Sequence, residues 1–350
     1  MIQVSFRHFL SLRETTQDDL AALTDLAVRL KRGESSARLT GRVLGLLFFN
    51  PSVRTRTSFE AAMARFGGSS IALAAGRDTW NFEHRDGIPM DGTTQEHVRE
   101  LAPVLSRYCD AIGIRRADLV TTAATTADVS GAWEEVRRDP FLRAFARHAT
   151  VPVINLESNF DHPCQGLADR MTLKERFADP RGVKVALTWA WHPKSLPTAT
   201  PHSQLEAAAS LGMDVTLLYP EGWELDPEVV AAARGRAEGA GGRLRIEHDP
   251  REGLRGAKAV IAKEWGSLGF WGRPEEEKRA KEPLRPDWTV TRERMARTDG
   301  AVFLHCLPVR RNVVVEDAVL DSPSSIVVDQ AENRLWAQAA LLVALLGKGA

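Results

Sequence analysis

The residues best able to do chemistry lie just past apolar runs of the chain. Asn50-Pro-Ser-Val-Arg-Thr-Arg-Thr-Ser58 follows the run 43–49 and leads into a helical pattern. A hydroxyl-rich turn feeding a helix N-terminus offers backbone N–H groups and the positive end of the helix dipole to an anion. Arg54 and Arg56 add forked donors that match phosphate oxygens. The plain alternative is a capped helix start with solvated arginines, but other strand ends supply matching groups. Arg115 follows the run 110–114, Glu157 and then His162-Pro-Cys-Gln165 follow 151–156, and His192 follows 183–189. Lys263 follows 259–262, and His305-Cys-Leu-Pro308 and Arg310-Arg-Asn312 follow 301–304. This set, with Arg115 beside the hydroxyl-rich turn, favours a phosphate cradle. His162 and Gln165 stand at a strand-to-helix junction, both able to donate to a carbonyl oxygen.

Other chemistries fit less well. There is no G-x-x-x-x-G-K-[ST] segment, and Gly239-Ala-Gly-Gly242 lacks the third glycine of a dinucleotide fingerprint. His305 and Cys306 are adjacent on a strand and point to opposite faces, which disfavours a nucleophilic pair. Neither H-E-x-x-H nor a carboxylate cluster occurs, so no metal is expected.

The elements that must position these groups alternate strand and helix, which predicts an α/β protein of two doubly wound parallel-sheet domains with the active site in the crevice between them. The expected boundaries are 1–150 and 151–330, with a C-terminal helix 331–350 packing back on the first domain. Phe59, Ala62, Met63 and Phe66 form one helical stripe closed by Gly67-Gly68. A helix is expected over 94–108 and a short strand at 326–328. Segments 76–93 and 266–287 lack periodicity and read as long loops of the kind that carry function.

Composition narrows the partners. Lys plus Arg and Asp plus Glu both number 46 in 350 residues, and this zero balance argues against nucleic acid or an anionic membrane. Charged residues at 26% and hydrophobic residues at 43% are ordinary for a soluble globular chain. No apolar run spans a bilayer, and the N-terminal residues lack a signal-peptide pattern. Cys109, Cys164 and Cys306 are too few and scattered for a disulfide framework, so a cytoplasmic location is expected.

At this point a resemblance enters. Phe49-Asn-Pro-Ser-Val-Arg-Thr-Arg-Thr-Ser-Phe-Glu60, His162-Pro-Cys-Gln165 and His305-Cys-Leu-Pro-Val-Arg-Arg-Asn312 resemble the signature segments of the aspartate/ornithine carbamoyltransferase family. Trp80, Met90-Asp-Gly92, the segments 189–193 and 262–266, and Ala331-Glu-Asn-Arg334 resemble its branch acting on N-acylated ornithine. The resemblance covers nearly the whole chain. It implies that Ser52, Val53, Arg54 and Thr55 hold the phosphate of carbamoyl phosphate. Arg115, His162 and Gln165, with Thr55, would hold the carbamoyl group, with Cys306, Leu307 and Arg334 near the same ligand. Trp80 would reach a neighbouring subunit's site in a homotrimer, and Gln95, Glu157, His192, Lys263 and Arg310 would face the acylated ornithine. Arg54, Thr55, Arg115, His162, Gln165 and Cys306 would be the catalytic set. The implied reaction carries the carbamoyl group to the δ-amine of an N2-acylated L-ornithine, in arginine biosynthesis, with no cofactor.

The chain departs from the family pattern in places that bear on the acyl group. N-acetyl users resemble one another in a glutamate at the position of Gln95, and N-succinyl users in a proline. The lysine that acetyl-type members can carry in modified form is Val314 here. The five-residue step from Glu157 to His162 is closer to the succinyl type. A neutral Gln95 would not repel a succinyl carboxylate, so N-succinyl is favoured over N-acetyl. A plain ornithine carbamoyltransferase and a non-catalytic ligand-binding relative are the alternatives. The latter predicts an eroded site, whereas every carbamoyl-phosphate position holds a competent residue.

Overall fold

The computed structural model describes residues 2–117 and 129–347. Eleven strands occur among them: β1 (Val43–Phe48), β2 (Ser69–Ala74), β3 (Asn81–Glu83), β4 (Thr94–His97), β5 (Ala111–Arg116), β6 (Val153–Ser158), β7 (Lys184–Trp189), β8 (Asp214–Leu218), β9 (Arg243–Glu247), β10 (Ala259–Lys263) and β11 (Val302–Leu304). The chain divides into two compact units. Among the described residues, one holds 2–117, 134–164 and 334–347; the other holds 129–133 and Gln165–Asn333. The boundary thus lies past Cys164 rather than at 150, because β6 pairs with β5 and keeps the chain in the first sheet.

The first unit is built on a four-stranded parallel sheet of order β2-β1-β5-β6. Leu44, Leu46, Leu47 and Phe48 of β1 are all buried, as continuous apolar runs in parallel sheets require. The chain runs outward from β1 to β2 and resumes on the other side at β5, so the switch point falls between β1 and β5. The helix Val53–Arg65 buries Phe59, Ala62 and Met63 on one stripe. It ends where Gly67 takes a φ of 82° and the Gly68 N–H returns to the Met63 carbonyl at 2.9 Å, as the paired glycines predict.

The second unit carries a five-stranded parallel sheet of order β11-β10-β7-β8-β9, with its switch point between β7 and β10. Glycines of the 239–242 segment serve packing here. A Cβ on Gly242 would lie 2.3 Å from the Gly212 carbonyl oxygen, and one on Gly212 2.3 Å from that of Ala240. Only bare backbone fits where these two turns meet.

Three expectations change. Residues 94–97 are a strand, not a helix start, because they pair with β3; the helix runs Val98–Tyr108 and is capped by His97 Nδ1, which accepts from the Arg99 N–H at 3.2 Å. The segment 266–287 contains the helix Pro274–Lys281, whose buried residues are Glu277 and Lys281 rather than apolar ones. The residues expected to form a strand at 326–328 instead open the helix Val327–Leu346. Among the described residues no helix is long and apolar enough to cross a membrane, and no group of three His, Cys, Asp or Glu stands where it could hold a metal ion.

Candidate active site

The first unit gathers most of the expected anion-binding groups beside its switch point. The Ser52 hydroxyl caps the helix Val53–Arg65 by accepting from the Thr55 N–H at 3.3 Å. Thr55 is 2% exposed, and its Oγ1 accepts from Arg334 at 3.1 Å. Arg334 comes from the helix Val327–Leu346, so that contact joins residues 279 apart in the chain. Arg54 lies in the same first turn. Arg56 does not belong to the cradle: it is exposed and pairs with Glu60 one turn on, at 3.0 Å. Residues two apart on a helix face different ways, which separates the two arginines.

Arg115 is the next-to-last residue of β5, the strand beside β1. The β5–β6 register is regular up to Ile114 opposite Asn155, then skips Leu156, so that Arg115 stands opposite Glu157. Such a bulge re-aims side chains. Gly113 gives the displaced Leu156 room, since a Cβ there would lie 2.8 Å from its Cδ2. The Arg115 guanidinium donates directly to Glu157 Oε2, and His162 Nε2 lies 3.4 Å from the same oxygen. Glu157 therefore stands with Arg115 and His162 in the first unit.

Burial, with the charges of Arg334 and Arg115 beside it, holds the His162 imidazole well below its ordinary pKa. It is a neutral ring at physiological pH, able to donate one N–H without carrying charge. Cys164, next along the helix Pro163–Arg176, is buried and its thiol is pushed up to about 12. It donates to the Asn155 carbonyl at 3.3 Å and is no nucleophile. Trp80 directly precedes β3, and Gln95 lies on its partner β4. Trp80 is 53% exposed with its indole N–H on Glu96 at 2.7 Å, and Gln95 is exposed on β4.

The second unit holds the remaining groups. Gln165 Nε2 donates to Asp169 Oδ1 at 2.8 Å, a buried contact one turn along the helix Pro163–Arg176. His305 Nδ1 accepts from the Leu307 N–H at 3.0 Å, so His305 shapes the turn that carries Cys306 and Leu307. His192 follows β7 and Lys263 ends β10, at the two strands that flank the second switch point. Burial, together with the charges of Lys263, Arg310 and Lys281, pushes the His192 ring down to about 4. These cations thus share one electrostatic neighbourhood, suited to a carboxylate.

Lys281, unforeseen from sequence, has a structural part in it. It pairs with Glu264 at 3.3 Å, both about 1% exposed, while Glu264 also accepts from the Leu196 N–H at 2.8 Å. Lys263 reaches only the Glu264 carbonyl oxygen, at 2.8 Å. The Glu264 carboxyl, which burial pushes up to about 8, thus faces both lysines and pairs directly with Lys281. No hydrophobic periodicity marks Lys281; the acid-first, base-last charge order of the helix Pro274–Lys281 is the signal that sequence offers.

Comparison with known proteins also divides the chain in two, with the break later than Cys164. The family model for the aspartate/ornithine carbamoyltransferase carbamoyl-P binding domain matches residues 7–175, and that for the Asp/Orn binding domain matches 183–345. The N-acetylornithine carbamoyltransferase of Xanthomonas campestris pv. campestris is 42% identical over 351 residues, 99% of each chain. The N-succinylornithine carbamoyltransferase of Bacteroides fragilis is 35% identical over 307 residues, 87% of each. A crystal structure of acetylornithine transcarbamylase complexed with acetylcitrulline matches with a TM-score of 0.92 at 42% identity, over 98% of this chain and 100% of that one.

The neutral state of His162 has a measurable consequence. An unfolded histidine takes up a proton below about pH 6.5, whereas His162 in the fold does not. Stability from this residue is present above that pH and falls as pH drops, by about 1.4 kcal/mol per unit. Denaturant titrations of wild type and His162→Asn between pH 7.5 and 5 should show the shallower decline in the variant. Parallel curves would mean that His162 ionises normally in the fold.

Proposed function

The chain belongs to the aspartate/ornithine carbamoyltransferase family, and from that premise we propose that it moves the carbamoyl group of carbamoyl phosphate to the δ-amine of an N2-acylated L-ornithine. The products are N-acylcitrulline and phosphate, a step of arginine biosynthesis. The observation that carries the reading is the grouping of Thr55, Arg334, Arg115 and His162 around one capped helix N-terminus.

The chemistry suits these groups. A neutral δ-amine attacks the carbamoyl carbon, and charge builds on the carbonyl oxygen. The Arg115 guanidinium, the Thr55 hydroxyl and the neutral His162 ring are donors that can meet that oxygen without rearranging. Phosphate leaves paired with Arg54, Arg334 and the helix terminus, and can accept the proton that the amine sheds. Ser52 and the backbone of Val53 complete the phosphate side; Gln165, Cys306 and Leu307 serve the carbamoyl side. On the acceptor, the α-carboxylate pairs with Lys263 or Arg310, with neutral His192 beside them. Holding both substrates together supplies much of the remaining rate.

N-acetylornithine is the first acceptor to consider, because the N-acetylornithine enzyme matches this chain end to end at 42% identity. N-succinylornithine is favoured by Gln95, which is uncharged and exposed on β4. The test is phosphate release from carbamoyl phosphate with ornithine, N-acetylornithine or N-succinylornithine in parallel. Turnover should require an acylated acceptor; preference for plain ornithine would overturn the N-acyl assignment. Gln95→Glu should lower the succinyl-to-acetyl ratio of kcat/KM at least about tenfold, near 1.4 kcal/mol of discrimination, through charge repulsion. An unchanged ratio would remove Gln95 from the acyl pocket.

The same reading makes the assembly a homotrimer in which Trp80 completes a neighbour's site. Supporting it, the first unit exposes Trp80 together with Ile71 at 49%, Ile88 at 42% and Met90 at 38%, with Ile71 on the edge strand β2. Large exposed apolar groups mark interaction surfaces. Trp80→Ala and Arg54→Ala should each lose about a hundredfold in turnover alone and recover part of it when the two are mixed under subunit exchange. A fully active monomer on sedimentation would contradict this assembly.

A further inference from the structure

We propose that the second unit carries an anion site at the amino ends of its strands, away from the carboxyl ends that hold His192 and Lys263, and that this site takes the phosphate group of a small molecule. The ladder sets Lys184, Asp214 and Arg243 in one row across β7, β8 and β9, with Thr216 and Arg245 paired two residues further on. Side chains two apart along a strand share a face, so all five lie on one side of the sheet. Parallel sheets of this kind are normally covered by full helices on both faces. Here the helix Pro250–Gly253, only four residues long, sits on that side: a Cβ on Gly253 would stand 2.5 Å from the side chain of Leu218, which shares a face with Asp214 and Thr216. Nearer the strand starts the five residues line a cavity of about 330 Å³, together with Glu252 and Arg255. That volume lies within the range of small-molecule sites.

The charge in this cavity is not balanced. Four cations line it against two carboxylates. Arg243 donates through Nε and Nη2 to Asp214 Oδ2 at 2.9 and 2.7 Å, and Arg255 donates to Glu252 Oε1 at 2.7 Å, so each carboxylate already answers an arginine. Arg245 is aimed by Thr216, whose buried Oγ1 accepts from its Nε at 2.9 Å; the Glu247 carboxylate stands 3.6 Å from its Nη1. The Lys184 ammonium has no hydrogen bond or ion pair among the described residues. Gly256, at a φ of 72°, leaves room for it, since a Cβ there would lie 3.3 Å from Nζ. Charges on β9 alone would be explained as guards of an edge strand. Lys184 instead starts β7, the middle strand of the five, and Arg255 comes from the loop before β10. Forked guanidinium donors and a compact ammonium converging from separate elements suit the oxygens of a phosphate group.

The test is methyl NMR of the full chain, labelled at threonine and alanine and titrated at constant ionic strength with inorganic phosphate, ribose 5-phosphate and succinate. The Thr216 and Ala257 methyls report the cavity, and the Thr55 methyl reports the first unit separately. Thr216 and Ala257 should shift saturably with both phosphate compounds, with a Kd below about 10 mM. Tighter binding of the ester identifies a phosphorylated metabolite as the occupant; equal binding identifies free phosphate. Lys184 is exposed, so Lys184→Glu should spare the fold. It should weaken binding at Thr216 and Ala257 at least about tenfold. Arg297→Glu removes an exposed cation of the same unit outside the cavity and should leave that binding within about twofold, because salt confines the effect of a surface charge to its neighbours. No saturable shift at Thr216 and Ala257, equal effects of the two substitutions, or succinate binding as tightly as phosphate each overturn the site.

Discussion

A guanidinium held at 14% exposure at the end of a parallel strand needs a carboxylate, and the pairing of Arg115 with Glu157 is the contact on which the first unit's site depends. Leaving such a charge unmet would cost several kcal/mol. Meeting it requires Glu157 to come level with Arg115, which the β5–β6 ladder does only by skipping Leu156. That skip needs the space at Gly113, and it brings the shared carboxylate oxygen within 3.4 Å of His162. One glycine, one bulge and one ion pair therefore set the aim of a guanidinium and an imidazole together. The two roles differ: Arg115 carries fixed charge, while His162, deprived of water and flanked by cations, stays neutral and offers a hydrogen bond.

The second unit solves a related problem with more charge. Lys263, Lys281 and Arg310 all bear on His192. Arg310 is exposed, but Lys263 and Lys281 are buried, and two buried cations side by side need an offsetting charge. Glu264 removes Lys281 from that set and, through the Leu196 N–H, ties down the loop after His192. Lys263 donates instead to the Glu264 backbone carbonyl. The two lysines thus differ in their oxygen partners and not in burial, since both are buried.

How much of this was legible in sequence follows from the kind of contact involved. The strand-end residues could be read because apolar runs mark buried parallel strands and the next polar residue must lie at the carboxyl end. The placement of Ser52, Arg54, Thr55, Arg115 and His162 at or just past strand ends is legible in that way. Arg56 was over-read: its neighbour Arg54 drew it into the cradle, although the spacing to Glu60 already offered it an ordinary i,i+4 partner. Contacts set by tertiary pairing left no local trace. The bulge at Leu156, the reach of Arg334 to Thr55 across 279 residues and the strand at 94–97 belong to this class. The helix Pro274–Lys281 was missed for a different reason, because its buried residues are Glu277 and Lys281 and no apolar period exists to find.

The central claim is that the first unit holds carbamoyl phosphate through Arg115 and the groups around it. Titration calorimetry of carbamoyl phosphate alone, without any acceptor, tests it most directly in wild type and Arg115→Ala. The account expects saturable binding to wild type and affinity at least about tenfold lower in the variant, the scale of one lost charge-assisted contact, with the thermal melt showing both folded. Equal affinity in the two proteins would contradict it.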